Sequence, residues 1–306
     1  MTSKLARVLG VLNGTVGDYL QRTGNALATP MQIVHRGEPV AVERSALALA
    51  YPDASPVPLV LIHGLMGSEA DWHTGEIEDY GSMLARSLGW TPIYVRYNSG
   101  RAIADNGAEL ASLLAALDES WPVAIDHLVL LCHSMGGLVA RAACHAAGST
   151  QPRPPWLEHV SRAIYLGTPH RGAPMERVGR AVARLLHSID DPYARLLGQL
   201  GDLRSTGIKD LGDANLRHED RARQMSLRDI AHPVPLLPHI QHLLIAGTLA
   251  HEPWLAALFG DGIVPVASAI NRPETALTSV KILPGVGHGS LAHHAEVSAE
   301  ILRWCS

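Results

Sequence analysis

"VLLCHSMGGLVAR", residues 129–141, joins an aliphatic run to a helix-like tail through a single hydroxyl. The aliphatic run of residues 126–132 fits a strand of a parallel sheet covered on both faces, because a strand with one wet face alternates polar and apolar residues. Ser134 follows it, with Cys132 and Gly136 two positions to either side. Small side chains there let strand and helix approach closely, and the sharp turn between them strains the backbone. The turn raises the hydroxyl above the carboxyl edge of the sheet. It sits beside the free amides of a helix N-terminus, which favour a developing negative charge.

The rest of the chain repeats this alternation. Strand-like runs lie at 41–51 (AVERSALALAY), 56–62, 91–97, 126–132, 160–166, 240–246 and 278–283, and helical patterns lie near 78–88, 105–118, 135–147, 252–259 and 291–304. The pattern predicts an α/β fold built on a doubly wound, mostly parallel sheet. About seventy residues separate the strand ending near Leu166 from the next one. A simple crossover needs far fewer. The helical patterns MERVGRAVARLLHSI and DPYARLLGQLGDL in this segment predict a helical cap or lid insertion over 172–239. It is too short for a core of its own, so the chain is expected to be a single domain over 1–306. Residues 1–26 read as an amphipathic helix, with Leu5, Val8, Leu9, Leu12, Val16, Tyr19 and Leu20 at helical spacing. Such a helix packs on its domain or touches lipid at a membrane surface, and packing is the commoner use.

The 306 residues are 47% hydrophobic, enough for a large core, and carry a formal charge of −4. Lysine and arginine are scattered, which argues against a nucleic-acid partner. The three cysteines, Cys132, Cys144 and Cys305, form no disulfide framework. No apolar run spans a bilayer, and Asn13, Gly14 and Asp18 break the N-terminal apolar stretch before a signal-peptide pattern forms. A cytoplasmic location is therefore expected. His232, His239, His242 and His251 lack the compact spacing of a zinc site, so neither a metal nor a cofactor is expected.

The stretch around Ser134 matches the G-x-S-x-G nucleophile elbow, with Cys132 in place of the first glycine. With LIHGLMGS (61–68), YLGTPHRGAP (165–174), GDGIVPVASA and GVGHGSL, the chain from about residue 56 resembles the lipase- and esterase-like α/β-hydrolases. The likeness extends to triacylglycerol lipases and to inositol deacylases of lipid anchors. It implies a triad in the chain order serine, acid, histidine. Ser134 is the expected nucleophile and His288, in the glycine-rich loop after the last strand, the expected base. His293 and His294 are rivals to it, and His133 is expected to point away from the nucleophile. Asp261 is the expected acid, ahead of Glu252 and Asp229. The backbone amides of Leu65 and Met135 are the expected oxyanion donors, with Leu65, Met66 and Met135 lining an apolar acyl pocket. His170 and Arg171 receive no chemical role.

The resemblance thus implies a carboxylic ester hydrolase, an esterase or lipase, acting on a small-molecule or lipid-like ester. A thioesterase, acyltransferase or amidase would use the same residues. A non-catalytic binding protein on the same fold is the alternative from another class.

Overall fold

The computed structural model describes residues 3–74, 77–188, 205–223, 234–250, 252, 256, 259–270 and 276–306. Helix α1 (Ser3–Arg22) leads into a hairpin of β1 (Gln32–His35) and β2 (Glu38–Val40), then α2 (Arg44–Ala50) and β3 (Pro58–Ile62). A 3₁₀ turn at Glu69–His73 precedes α3 (Tyr80–Leu88), β4 (Thr91–Arg96), α4 (Ile103–Ser120), β5 (Leu128–His133) and α5 (Met135–Gly148). Next come α6 (Pro155–His159), β6 (Val160–Leu166), α7 (Met175–Ser188), α8 (Thr206–Asp213) and α9 (His218–Arg223). The chain ends with β7 (Gln241–Thr248), α10 (Val266–Ala269), β8 (Thr278–Pro284), a 3₁₀ turn at Gly289–Ala292 and α11 (Ala295–Cys305).

The strands form one 8-stranded sheet of order β2-β1-β4-β3-β5-β6-β7-β8. β1 runs antiparallel to both β2 and β4. The pairs from β4 through β8 are parallel. The doubly wound, mostly parallel sheet expected from the sequence is therefore present. Alternate residues of the central strands feed separate cores, as the unbroken aliphatic runs required. Val60, Ile62, Leu130 and Cys132 join a cluster with α4 and α5, while Leu59, Leu61, Val129 and Leu131 join another with α3 and α11.

The structure corrects the expected secondary structure in two places. Residues 41–51 are not a strand: Arg44–Ala50 is helical, with Leu47 fully buried and Leu49 85% exposed. Alanine and leucine are strong helix formers, and a helix turns Leu47 inward and Leu49 outward. The β1–β2 hairpin was not anticipated. Its turn residues Arg36 and Gly37 both have positive φ, at 51° and 83°, the backbone that suits a two-residue hairpin loop. The helical pattern of 252–259 lies largely outside the described residues, as do 189–204 and 224–233 of the cap insertion expected over 172–239.

Helix α1 packs on the protein mainly through its small residues, with Leu20 of the leucine stripe also buried. Its buried residues include Ala6, Gly10, Val11, Asn13, Gly14 and Gly17, while Leu5 is 47% and Tyr19 54% exposed. The small face wins because it lets the helix lie directly against backbone. A Cβ on Gly10 would stand 2.5 Å from the Gly67 carbonyl oxygen, and one on Gly14 would stand 2.7 Å from the Met66 Cα. The helix therefore sits on the loop that follows β3. Ser205, at the start of α8, donates to the Gly14 carbonyl at 2.6 Å, and Thr206 binds Asp18.

Candidate active site

Ser134 stands between β5 and α5 with φ 53° and ψ −124°, a strained backbone for any residue with a Cβ. Its amide donates to the Leu166 carbonyl at 2.8 Å, which carries the β5–β6 pairing up to the turn. The glycines after it answer a spatial demand. A Cβ on Gly136 would lie 2.4 Å from the Ile62 carbonyl oxygen, and one on Gly137 would lie 2.1 Å from Thr168 Oγ1. Cys132 fills the position of the absent glycine. It is fully buried, and burial raises its thiol well above the ordinary range, so it packs as a small apolar group.

Asp261 and His288, the expected acid and base, lie in the loops after β7 and β8. His288 Nε2 lies 2.8 Å from Ser134 Oγ, and His288 Nδ1 lies 2.7 Å from Asp261 Oδ2. The carboxylate can only accept, so Nδ1 carries the proton and Nε2 is the acceptor facing the serine hydroxyl. Asp261 Oδ1 accepts the amides of Ile263 and Val264 at 3.0 and 2.8 Å. Gly260 and Gly262 flank the aspartate with φ of 57° and 98° and allow this tight loop. All three residues are nearly enclosed: Ser134 is 5%, Asp261 3% and His288 8% exposed.

The rival residues lie elsewhere. Glu252 is exposed, and Asp229 falls outside the described residues. His294 caps α11, accepting the Glu296 amide at 3.3 Å, and His293 closes the preceding 3₁₀ turn. His133 does not bond the nucleophile; its Nε2 meets the His288 carbonyl at 3.0 Å.

The Gly64–Gly67 loop comes up against the elbow, where a Cβ on Gly64 would stand 2.9 Å from the Ser134 Cβ. His63 fixes its start. The ring stacks on Tyr97 at 4.3 Å and donates from Nδ1 to the Gly64 carbonyl at 2.8 Å. Burial lowers this imidazole to about 4, so it is neutral near pH 7. The Met66 amide donates to Ser99 Oγ at 2.9 Å, and the Gly67 amide to the Gly64 carbonyl at 3.2 Å. Among the described residues, the amides of Leu65 and Met135 have no protein acceptor. The pocket expected around Leu65, Met66 and Met135 is corrected in part. Met66 (4% exposed) and Met135 (0%) belong to the hydrophobic core, with Met66 pressed against Gly14 of α1, and only Leu65 is half-buried.

Arg141 of α5 donates to His170 Nδ1 at 3.1 Å and to the Val234 carbonyl, and the Arg171 amide donates to Ser268 Oγ at 3.1 Å. These contacts clasp the GTPHRG loop to its neighbours and bring neither His170 nor Arg171 to the triad. Of the four histidines weighed as zinc ligands, His232 and His251 lie outside the described residues, and His239 is exposed. His242 is fully buried and bonds the Leu237 carbonyl at 2.8 Å. Ser99 was missed in the sequence, and His133 was weighed there only as a residue expected to point away from Ser134. His133 carried a signal in its place beside the nucleophile, whereas the bearing of Ser99 on the Met66 amide had none.

Sheet order, elbow and loop placement together define the α/β-hydrolase fold, and the chain has that fold. The crystal structure of the mature lipase BlEst2 from Bacillus licheniformis aligns with a TM-score of 0.51 at 22% identity, covering 80% of this chain and 91% of that one. The lipase of Staphylococcus hyicus aligns with a TM-score of 0.51 at 15% identity, covering 82% and 94%. More particularly, the family described as PGAP1-like alpha/beta domain matches residues 110–219, from within α4 into α9. No curated protein matches the sequence. No described helix is long and apolar enough to cross a membrane.

Proposed function

We propose that the protein hydrolyses carboxylic esters through an acyl-enzyme on Ser134. The observation that carries this reading is the hydrogen-bonded series Ser134–His288–Asp261, at 2.8 and 2.7 Å. As the Ser134 oxygen attacks the ester carbon, His288 Nε2 takes its proton, and Asp261 holds the ring in the tautomer that can do so. The carbonyl oxygen becomes an oxyanion, for which the unengaged amides of Leu65 and Met135 are the donors. Collapse expels the alkoxide, which leaves as the alcohol with the proton from His288. Water then attacks the acyl-enzyme with His288 again as base, releasing the carboxylic acid and restoring the serine. The fold shared with lipases supports a substrate range that includes lipid-like esters.

Ser134→Ala tests the reading. On p-nitrophenyl esters of graded chain length it is expected to lower kcat by about 10⁴–10⁶-fold. Wild-type protein is expected to take a fluorophosphonate at Ser134, and the variant to take none. A purified variant with unchanged turnover would overturn the proposal. Matched thioesters and amides in the same assay define the leaving group.

A further inference from the structure

We infer that His133 is a positioning residue of this site, setting the Ser134–His288 approach through the main chain of the base; the inference rests on the ester-hydrolase reading. His133 ends β5 and is the chain neighbour of Ser134. Its ring packs beside that of His288, with centroids 5.1 Å apart. Only Nε2–H can donate to the His288 carbonyl at 3.0 Å, which fixes the proton on that nitrogen. The His288 amide donates to the Asp261 carbonyl at 3.0 Å. The backbone of His288 is thus tied on both sides, its N–H to Asp261 and its carbonyl to the residue beside Ser134.

The loop needs such ties. His288 follows Pro284-Gly285-Val286-Gly287, where Gly285 has φ 78°. Glycines give this segment the most backbone freedom of any residue. The His133 bond adds to the backbone ties His288 has within its own loops, its amide on the Asp261 carbonyl and its carbonyl accepting the Leu291 amide at 3.3 Å. The ring of His133 is fixed in turn by its surroundings. Trp72 meets it edge-on at 6.4 Å, and a Cβ on Gly64 would come within 3.2 Å of its Nδ1. It therefore lies beside Gly64, in the loop that carries the Leu65 amide, as well as beside the base. Burial, with His288 close by, lowers its ring to about 3. A neutral donor positions His288 without opposing the imidazolium that forms there during turnover, as a cation at this distance would.

The test compares full-length wild type with His133→Phe and His133→Gln on p-nitrophenyl esters. Phenylalanine keeps a ring without a donor, and glutamine keeps an N–H that can reach the carbonyl. His133→Phe is expected to lower kcat by roughly 10–100-fold, the scale of an ångström-sized misplacement, and to leave KM within about 2-fold. His133→Gln is expected to recover most of the loss, which a purely space-filling role would not allow. Full kcat in a folded His133→Phe overturns the inference. Ser134→Ala run alongside separates the cases: if it stays active, the hydrolase reading fails, and if it is dead while His133→Phe is normal, only His133 is misassigned. One measurement needs no variant. In ¹⁵N-histidine-labelled wild type, His133 is expected to remain neutral with its proton on Nε2 between about pH 5 and 8. An Nδ1–H tautomer, or titration near the ordinary histidine value, also overturns it.

Discussion

An aspartate beside glycine is ordinarily a turn former, and Asp261 keeps that duty while taking on another. Its Oδ1 accepts the Ile263 and Val264 amides, which leaves Oδ2 to face His288 Nδ1. An asparagine can keep the first set of bonds with its carbonyl, but its amide then points N–H at the imidazole and favours the wrong tautomer. Asp261→Asn is therefore expected to lower kcat by about 10³–10⁴-fold, with a melting temperature close to wild type. A rate within tenfold of wild type in that variant would contradict an orienting role. At this scale the sequence was informative where a residue is marked by its own neighbours. Ser134 stands between small residues, His288 in a glycine loop and Asp261 between glycines. It was silent where a role depends on which way a side chain turns. His133 differs from any strand-end histidine only through the β8 loop that arrives above it, 155 residues later.

Helix α1 shows why an apolar stripe can mislead at the scale of an element. Leucines were expected to mark the buried face, yet apart from Leu20 the small residues do, because they let the helix close on the Met66–Gly67 backbone, the Asn98 side chain and Gly100. Gly14→Val would place its Cβ within 2.7 Å of the Met66 Cα. The clash is expected to cost about 1–3 kcal/mol and to loosen α1, measured as a lower melting temperature and earlier proteolytic clipping before residue 22. An unaltered melt and digestion pattern would show that the helix tolerates displacement. The central strands β3 and β5 were legible because burial on both faces removes polar residues from them, whereas the edge strand β8, largely exposed, showed itself only by its run of β-formers. Residues 41–51 misled because alternating leucine and alanine satisfy strand and helix templates alike, and propensity decided for the helix. The β1–β2 hairpin went unread because its strands, Gln32–His35 and Glu38–Val40, are too short to show a period.

Across the whole molecule, buried imidazoles tie stability to pH. Burial lowers His63 to about 4 and His133 to about 3, and it holds His170 well below the ordinary 6.5. A folded-state value below the unfolded one means that the unfolded chain takes the proton first. The stability these groups contribute is full above about 6.5 and drains away as pH falls toward 4 and 3, by up to ~1.4 kcal/mol per group per pH unit. Half-exposed Asp71, raised to about 6 by burial, acts in the opposite sense, while His35 and His293, lowered by burial, act in the same sense as the three rings. The melting temperature is expected to fall clearly between about pH 6.5 and 5 and to change little from 8 to 6.5. A flat profile down to pH 5 would mean that these rings reach water. The spacing of the triad along the chain bears on synthesis. Ser134 and its bonding partner His288 are 154 residues apart, with β6, β7 and β8 made in between. At ribosomal rates of about 5–20 residues per second, Ser134 leaves the peptidyl-transferase centre roughly 8–30 s before His288. On the proposed mechanism, a nascent chain carries an unactivated alcohol for that interval, and ester cleavage waits for the last strand.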